Sequence, residues 1–195
     1  LDFRRIPQIA FKRQLPWFYA AIAFYVAVEI GMASWLVTFL QEIRNASVAA
    51  SNQSLALFFA MLMIGRLLGG FFVQRVGYLR SILFMALGAT FCIMAGLFGT
   101  KEISILFPIT GFFLSITFPT FTASVSDTHT ENANTILGVL FTFAGIGGVF
   151  GPWLIGWTSD LLGLQIGFSV IILFMAAMLA SLIILVKGES NGKNT

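Results

Sequence analysis

Charge is scarce in this sequence. Of its 195 residues only 10% are Asp, Glu, Lys or Arg, while 58% are hydrophobic; an ordinary soluble domain has about 25% charged and about 45–50% apolar residues. A soluble fold of this length cannot hide so much apolar side chain, because much of its surface must meet water. Cysteine and histidine are nearly missing: Cys92 lies inside an apolar run, and His129 is the single histidine. No disulfide framework or multi-histidine metal site is therefore available. Also missing at membrane depth are paired aspartates, a zinc-binding motif and a serine–histidine arrangement. Asp127 and His129 fall in a loop and Glu29 is a lone carboxylate, which disfavours an intramembrane enzyme. Nor does a signal peptide open the chain: the stretch from Leu1 to Gln14 is basic and polar, and several apolar runs follow. Residue 1 is leucine, so we expect an N-terminal part of a longer protein to precede it.

What the sequence does have is long apolar runs, with mean hydropathy +0.93. A bilayer core about 30 Å thick needs about 20 apolar residues in a helix. Six segments fit, at about 17–40, 54–74, 81–99, 103–125, 135–157 and 165–186. They must be helices, because open backbone cannot face hydrocarbon, and they are too uniformly apolar for the strands of a membrane barrel. The net charge of +3 does not point to nucleic acid, since the basic residues punctuate apolar runs instead of forming a patch. Arg4, Arg5, Lys12, Arg13, Arg75, Arg80, Lys187 and Lys193 fall on one side, and only Arg44 and Lys101 on the other. The basic excess marks the cytoplasm, so a multi-pass protein of the plasma (inner) membrane with both termini cytoplasmic is expected. The loop holding Asp127, His129 and Glu131 is cytoplasmic by this count, and acids contribute little to the rule. Trp17, Trp157 and Tyr78 sit near the expected interfaces. Asn45-Ala46-Ser47 and Asn52-Gln53-Ser54 match the glycosylation sequon in a short outer loop, a pattern that chance also produces.

A few residues stand out against this background. Glu29 lies near the middle of the first segment, where a carboxylate costs a few kcal/mol and is functional by default. It is the candidate for taking up and releasing a proton, with a structural carboxylate satisfied by a neighbouring helix as the competing account. Tyr25, one turn earlier on the same face, can bond it or a substrate hydroxyl. Arg66, about two turns from the cytoplasmic end of the second segment, can snorkel to the interface or pair with an acid in the bundle. The fourth segment holds Pro108 and the run from Ser115 through Thr117 and Pro119 to Thr120. Prolines there free backbone carbonyls, and broken helices often line binding cavities. Ser115 and Thr117 are thus candidates either for the cavity or for repairing the helix. Gly147, Gly151 and Pro152 in the fifth segment mark close packing and a possible hinge.

The run Gly70-Phe71-Phe72-Val73-Gln74-Arg75-Val76-Gly77-Tyr78-Leu79-Arg80 resembles the signature loop of the major facilitator superfamily, Gly-x-x-x-Asp-Arg-x-Gly-x-x-Arg, between the second and third helices of each six-helix half. Gln74 stands where the signature has an acid. The stretch Tyr25 to Val37, with Gly65-Arg66-Leu67-Leu68-Gly69-Gly70, Phe118-Pro119-Thr120 and Gly156-Trp157-Thr158-Ser159-Asp160, is similar to helices 7, 8, 10 and 11 of the fucose–proton and glucose–proton symporter family. The resemblance implies an all-α integral membrane unit, the C-terminal half of a twelve-helix transporter built from two inverted three-helix repeats. Residues 1–16 would be a cytoplasmic inter-domain segment, 17–186 the bundle and 187–195 a cytoplasmic tail. It further implies uptake of a hexose such as fucose, glucose or galactose by alternating access. The proton is the implied coupling ion, no cofactor is expected, and the partners are the sugar, the missing N-terminal half and the lipid bilayer. Glu29 and Tyr25 would sit on the cavity, and Gly70, Gln74, Arg75, Gly77 and Arg80 would form the cytoplasmic gating turn. An exporter of drugs or metabolites, and a non-transporting truncated or scaffold membrane protein, are the alternatives.

Overall fold

The computed structural model describes residues 14–130 and 132–192, with side chains as far as Glu189. Arg4, Arg5, Lys12, Arg13, Glu131 and Lys193, which entered the orientation argument, lie outside the described residues. Six stretches are long and apolar enough to cross a bilayer, from 21 residues (Tyr78–Phe98) to 30 (Ala133–Leu162). They comprise α1 (Leu15–Glu42), α2 (Val48–Val76), α3 (Tyr78–Phe98), the pair α4 (Leu106–Leu114) and α5 (Thr117–Thr128), α6 (Ala133–Leu162) and α7 (Leu164–Gly192). A 3-10 turn, Lys101–Ile105, leads into α4.

Local chemistry sets the ends of these helices. Ser47 caps α2, its side chain accepting a hydrogen bond from the Ala50 N–H at 3.2 Å. The helix therefore starts at Val48, ahead of the apolar run that begins after Asn52 and Gln53. Gly77 and Gly163 both have φ +90°, a conformation that glycine adopts without strain. Each turns one helix straight into the next, α2 into α3 and α6 into α7. The fourth span breaks at Ser115–Ile116 because Pro119 has no N–H to give the Ser115 carbonyl. The Ser115 hydroxyl donates to the Phe112 carbonyl at 2.6 Å, so one carbonyl just before the break is satisfied by a side chain.

Lipid offers helices no hydrophobic reason to associate, so close packing of small residues does the work. Two of the closely packed pairs are parallel. In the first, Gly147 and Gly151 of α6 lie directly on Ala23 and Ala27 of α1, and Gly31 of α1 faces Ile155. In the second, Gly65 and Gly69 of α2 lie on Ser115 and Ile116 at the α4–α5 break, and Gly111 lies on the Phe58 backbone. Residue numbers rise together in both pairs, so the helices run in the same direction. Inverting the first three spans onto the last three exchanges the second span with the fifth and the first with the fourth, which converts one pair into the other. Antiparallel neighbours fill the remainder, α3 meeting α4 through Gly88–Phe113 and Gly96–Phe107 contacts. Phe39, Phe107 and Phe168 lock α1, α4 and α7 together, with Phe39 and Phe168 stacked at 4.4 Å and Phe107 edge-on to both.

Candidate functional site: a charged pair at membrane depth

Most charged side chains of the described spans lie near helix ends: Glu42, Arg75, Arg80, Lys101, Glu102, Asp127, Asp160, Lys187 and Glu189. Two do not. Glu29 is midway along α1 and Arg66 is about 15 Å of helix rise above the end of α2 at Val76. The fold brings them together, with Arg66 Nη2 3.5 Å from Glu29 Oε1. The Glu29 side chain is 14% exposed and that of Arg66 48%. Arg66 therefore pairs with an acid inside the bundle instead of reaching for the interface. Tyr25 is completely buried, and its hydroxyl interacts with both Glu29 and Arg66. It nevertheless makes no hydrogen bond of normal geometry.

Such an arrangement can hold a proton at a fixed depth. A buried ion pair recovers the cost of desolvation only while both members stay paired, so anything that withdraws Arg66 favours a proton on Glu29. The half-exposed guanidinium also offers further N–H donors to a polar ligand.

The other residues singled out from the sequence fall in three places. Ser115 and Thr117 are fully buried at the α4–α5 break; Ser115 lies against Gly65, and the Thr117 hydroxyl has no hydrogen-bond partner. Gly147 and Gly151 form the contact with α1, and the Pro152 carbonyl accepts a hydrogen bond from Trp35 Nε1 at 3.0 Å. Gly70, Gln74, Arg75, Gly77 and Arg80 cluster at the α2–α3 turn, where the side chains of Gln74, Arg75 and Arg80 are exposed. Gln74 supplies no anion here. Instead the Tyr78 hydroxyl donates to Asp127 at the end of α5, tying the turn to the fourth span. From sequence Tyr78 reads as an interface aromatic, and nothing local links it to a residue 49 positions away. Arg44, too, does more than mark the outer side: its Nη2 donates to the Gly96 and Leu97 carbonyls at 2.7 and 2.8 Å, closing the end of α3. A shallow apolar hollow of about 630 Å³ on α6, lined by Gly145, Ile146, Val149, Phe150 and Trp153, contains none of the charged pair.

Known proteins share this architecture. The chain superimposes on the crystal structure of the Major Facilitator Superfamily transporter FucP in its outward conformation, with a TM-score of 0.80 and 20% identity over 94% of this chain and 45% of that one. A single-residue variant of FucP, the fucose:proton symporter of E. coli, matches with the same score and coverage at 19% identity. Two relatives named putative glucose/galactose transporters, from Helicobacter pylori strains J99 and 26695, are 29% and 28% identical over 142 residues. That alignment spans 72% of this chain but only 35% of theirs. The family model described as Major Facilitator Superfamily matches residues 19–195. The chain therefore belongs to the Major Facilitator Superfamily, as a six-helix membrane unit of a transporter and not an enzyme.

Proposed function

We propose that the chain is the C-terminal half of a transporter that takes up a hexose together with a proton by alternating access. The observation that carries this reading is the Glu29–Arg66 pair midway across the bundle, 3.5 Å apart. An ionisable pair at that depth is costly unless it is used, and a carboxyl that can lose its cation partner is a proton site. The names of the relatives supply the substrate class, glucose/galactose for the Helicobacter pylori proteins and fucose with a proton for FucP. The excess of basic residues flanking the spans on one side supports a cytoplasmic location for both ends of the bundle. In this orientation the α2–α3 turn lies on the inner face, where Tyr78 and Asp127 help close the inward gate. The proton is the coupling ion and no other cofactor is required. The sugar sits between this bundle and a second six-helix half.

The test is sugar-driven proton uptake by the full-length protein in proteoliposomes, beside a Glu29→Gln variant. A hexose should move protons inward, and the variant should exchange sugar without moving them. If neither glucose, galactose nor fucose moves protons with the intact protein, the reading is wrong.

A further inference from the structure

Glu29 has two neighbours able to satisfy it, and they differ in freedom. Arg66 Nη2 stands 3.5 Å from the carboxylate, longer than a charge-assisted hydrogen bond, and nearly half of the Arg66 side chain is open to the surroundings. A guanidinium presents five N–H donors in a planar fork and holds a planar acceptor pair best through two of them. The contact with Glu29 is therefore a loose one. Tyr25 is the opposite case, with a fully buried hydroxyl that lacks a well-formed hydrogen bond. Leaving such a group unpaired costs free energy, which the Glu29 carboxyl, one turn away, is placed to recover.

Among the described residues no other titratable group competes. On this stretch of α1, α6 presents Gly147, Gly148, Gly151 and Ile155, and α7 presents Phe174 against Phe24. Between Leu106 and Ser126, α4 and α5 carry no titratable side chain. On α2 the nearest charge after Arg66 is Arg75, at the helix end. Tyr19, nearly three turns before Glu29 on α1, stacks on Phe143.

We propose that Arg66 is the sugar-sensing residue of the coupling site: two adjacent sugar hydroxyls draw its guanidinium off Glu29, and the Tyr25 hydroxyl replaces it. The proposal rests on the proton–sugar reading above. Without sugar, Arg66 holds Glu29 as a carboxylate. A vicinal pair of hydroxyl oxygens accepts two parallel N–H bonds from the fork and pulls it toward the cavity. Glu29 then takes a proton from hydronium, one O–H bond forming on the carboxyl as one breaks to leave water, and the Tyr25 O–H donates to its remaining carbonyl oxygen. Sugar release reverses each step and returns the proton to water. Sugar and proton thus bind together because they contend for the same cation and not because they touch.

The experiment measures binding of D-glucose, D-galactose and L-fucose to the full-length protein from acid to alkaline pH. Wild type should bind its sugar more tightly as pH falls, by up to about tenfold per pH unit for one linked proton. Arg66→Gln should weaken binding about tenfold and flatten the pH dependence. Arg66→Lys keeps a cation on Glu29 but cannot grip two oxygens in a plane, so it should weaken binding while retaining the slope. Tyr25→Phe should remove part of the gain in binding at acid pH. An Arg66→Gln protein with wild-type slope overturns the proposal, as do Lys and Gln variants that lose slope and affinity alike, which marks a structural role. A wild-type protein whose sugar binding ignores pH overturns the transport reading as well. A wild-type slope that survives in both Arg66 variants overturns this inference alone.

Discussion

Replacing Gly147 with alanine should force α1 and α6 apart. The added methyl would strike the carbonyl oxygen of Ala23, with the Ala23 carbonyl carbon at 2.7 Å and its Cα at 2.9 Å. Alanine at Gly151 would meet the Ala27 Cα and oxygen at 2.6 Å and its Cβ at 2.8 Å. Carbon atoms rest about 3.5–4.0 Å apart, so each substitution needs about 1 Å of extra separation. The atoms struck are mostly main chain and cannot rotate aside, so the helix itself must move. A gap of that size along the contact forfeits a quarter to a half of each lost dispersion well, and overpacking of this kind costs about 1–3 kcal/mol. In lipid no hydrophobic term compensates. Neighbouring glycines provide the scale. At Gly148 a methyl meets two side-chain carbons, the Val26 Cγ1 at 3.3 Å and the Ile30 Cγ1 at 3.9 Å, and at Gly145 nothing lies within 4 Å. Thermal unfolding of the full-length protein in detergent, followed by tryptophan fluorescence, should rank the alanine variants with Gly147 and Gly151 lowest, Gly148 intermediate and Gly145 at wild type. Equal melting temperatures for Gly147→Ala and Gly145→Ala would refute the close packing of α1 on α6.

Trp35→Phe removes the 3.0 Å bond to the Pro152 carbonyl and should cost about 1 kcal/mol, read by the same melting assay. Arg44→Ala leaves the Gly96 and Leu97 carbonyls unmet and should cost about 1–2 kcal/mol for a partly buried charge-assisted pair of bonds; Arg44→Lys should recover part of it. Tyr78→Phe and Asp127→Asn each break the tie between the α2–α3 turn and α5, which is exposed and should change melting little. Both should raise the labelling of cysteines placed at the bundle end that holds the α2–α3 turn, and the double variant should add nothing to either single one.

Composition made the six spans legible, because a chain with so few charges has nowhere but lipid to put its surface. The break in the fourth span was legible in Pro119, and the close contacts in the glycines of the second and fifth spans. The pairings were not. Tyr78 with Asp127, Trp35 with Pro152 and Arg44 with Gly96 join positions 49, 117 and 52 residues apart, and no periodicity records such distances. Arg66 shows the limit most clearly. Sequence alone weighed snorkelling against an ion pair, since its depth permits either; only the packing of α2 beside α1 decides which. The role of Ser115 was equally open, and its hydroxyl is spent on the Phe112 carbonyl.

The two halves of this bundle differ where chemistry is needed. Their shared frame is symmetric: glycines on the second and fifth spans pack onto the first and fourth, and Gly77 and Gly163 turn at equivalent points with the same φ of +90°. Each of these glycine contacts joins a span of one repeat to a span of the other, so they fasten the two repeats into one packed body. Charge does not follow the frame. The first span carries Glu29 at mid-depth, whereas its counterpart, the broken fourth span, has buried hydroxyls and prolines there and no carboxylate. Arg66 on the second span likewise has no charged equivalent on the fifth, where glycines occupy mid-depth. A purely structural ion pair would have no reason to sit in one repeat of a frame that holds together in the other without it. The frame accounts for packing, and the charged pair, which departs from it at membrane depth, is the feature on which the proposed coupling rests.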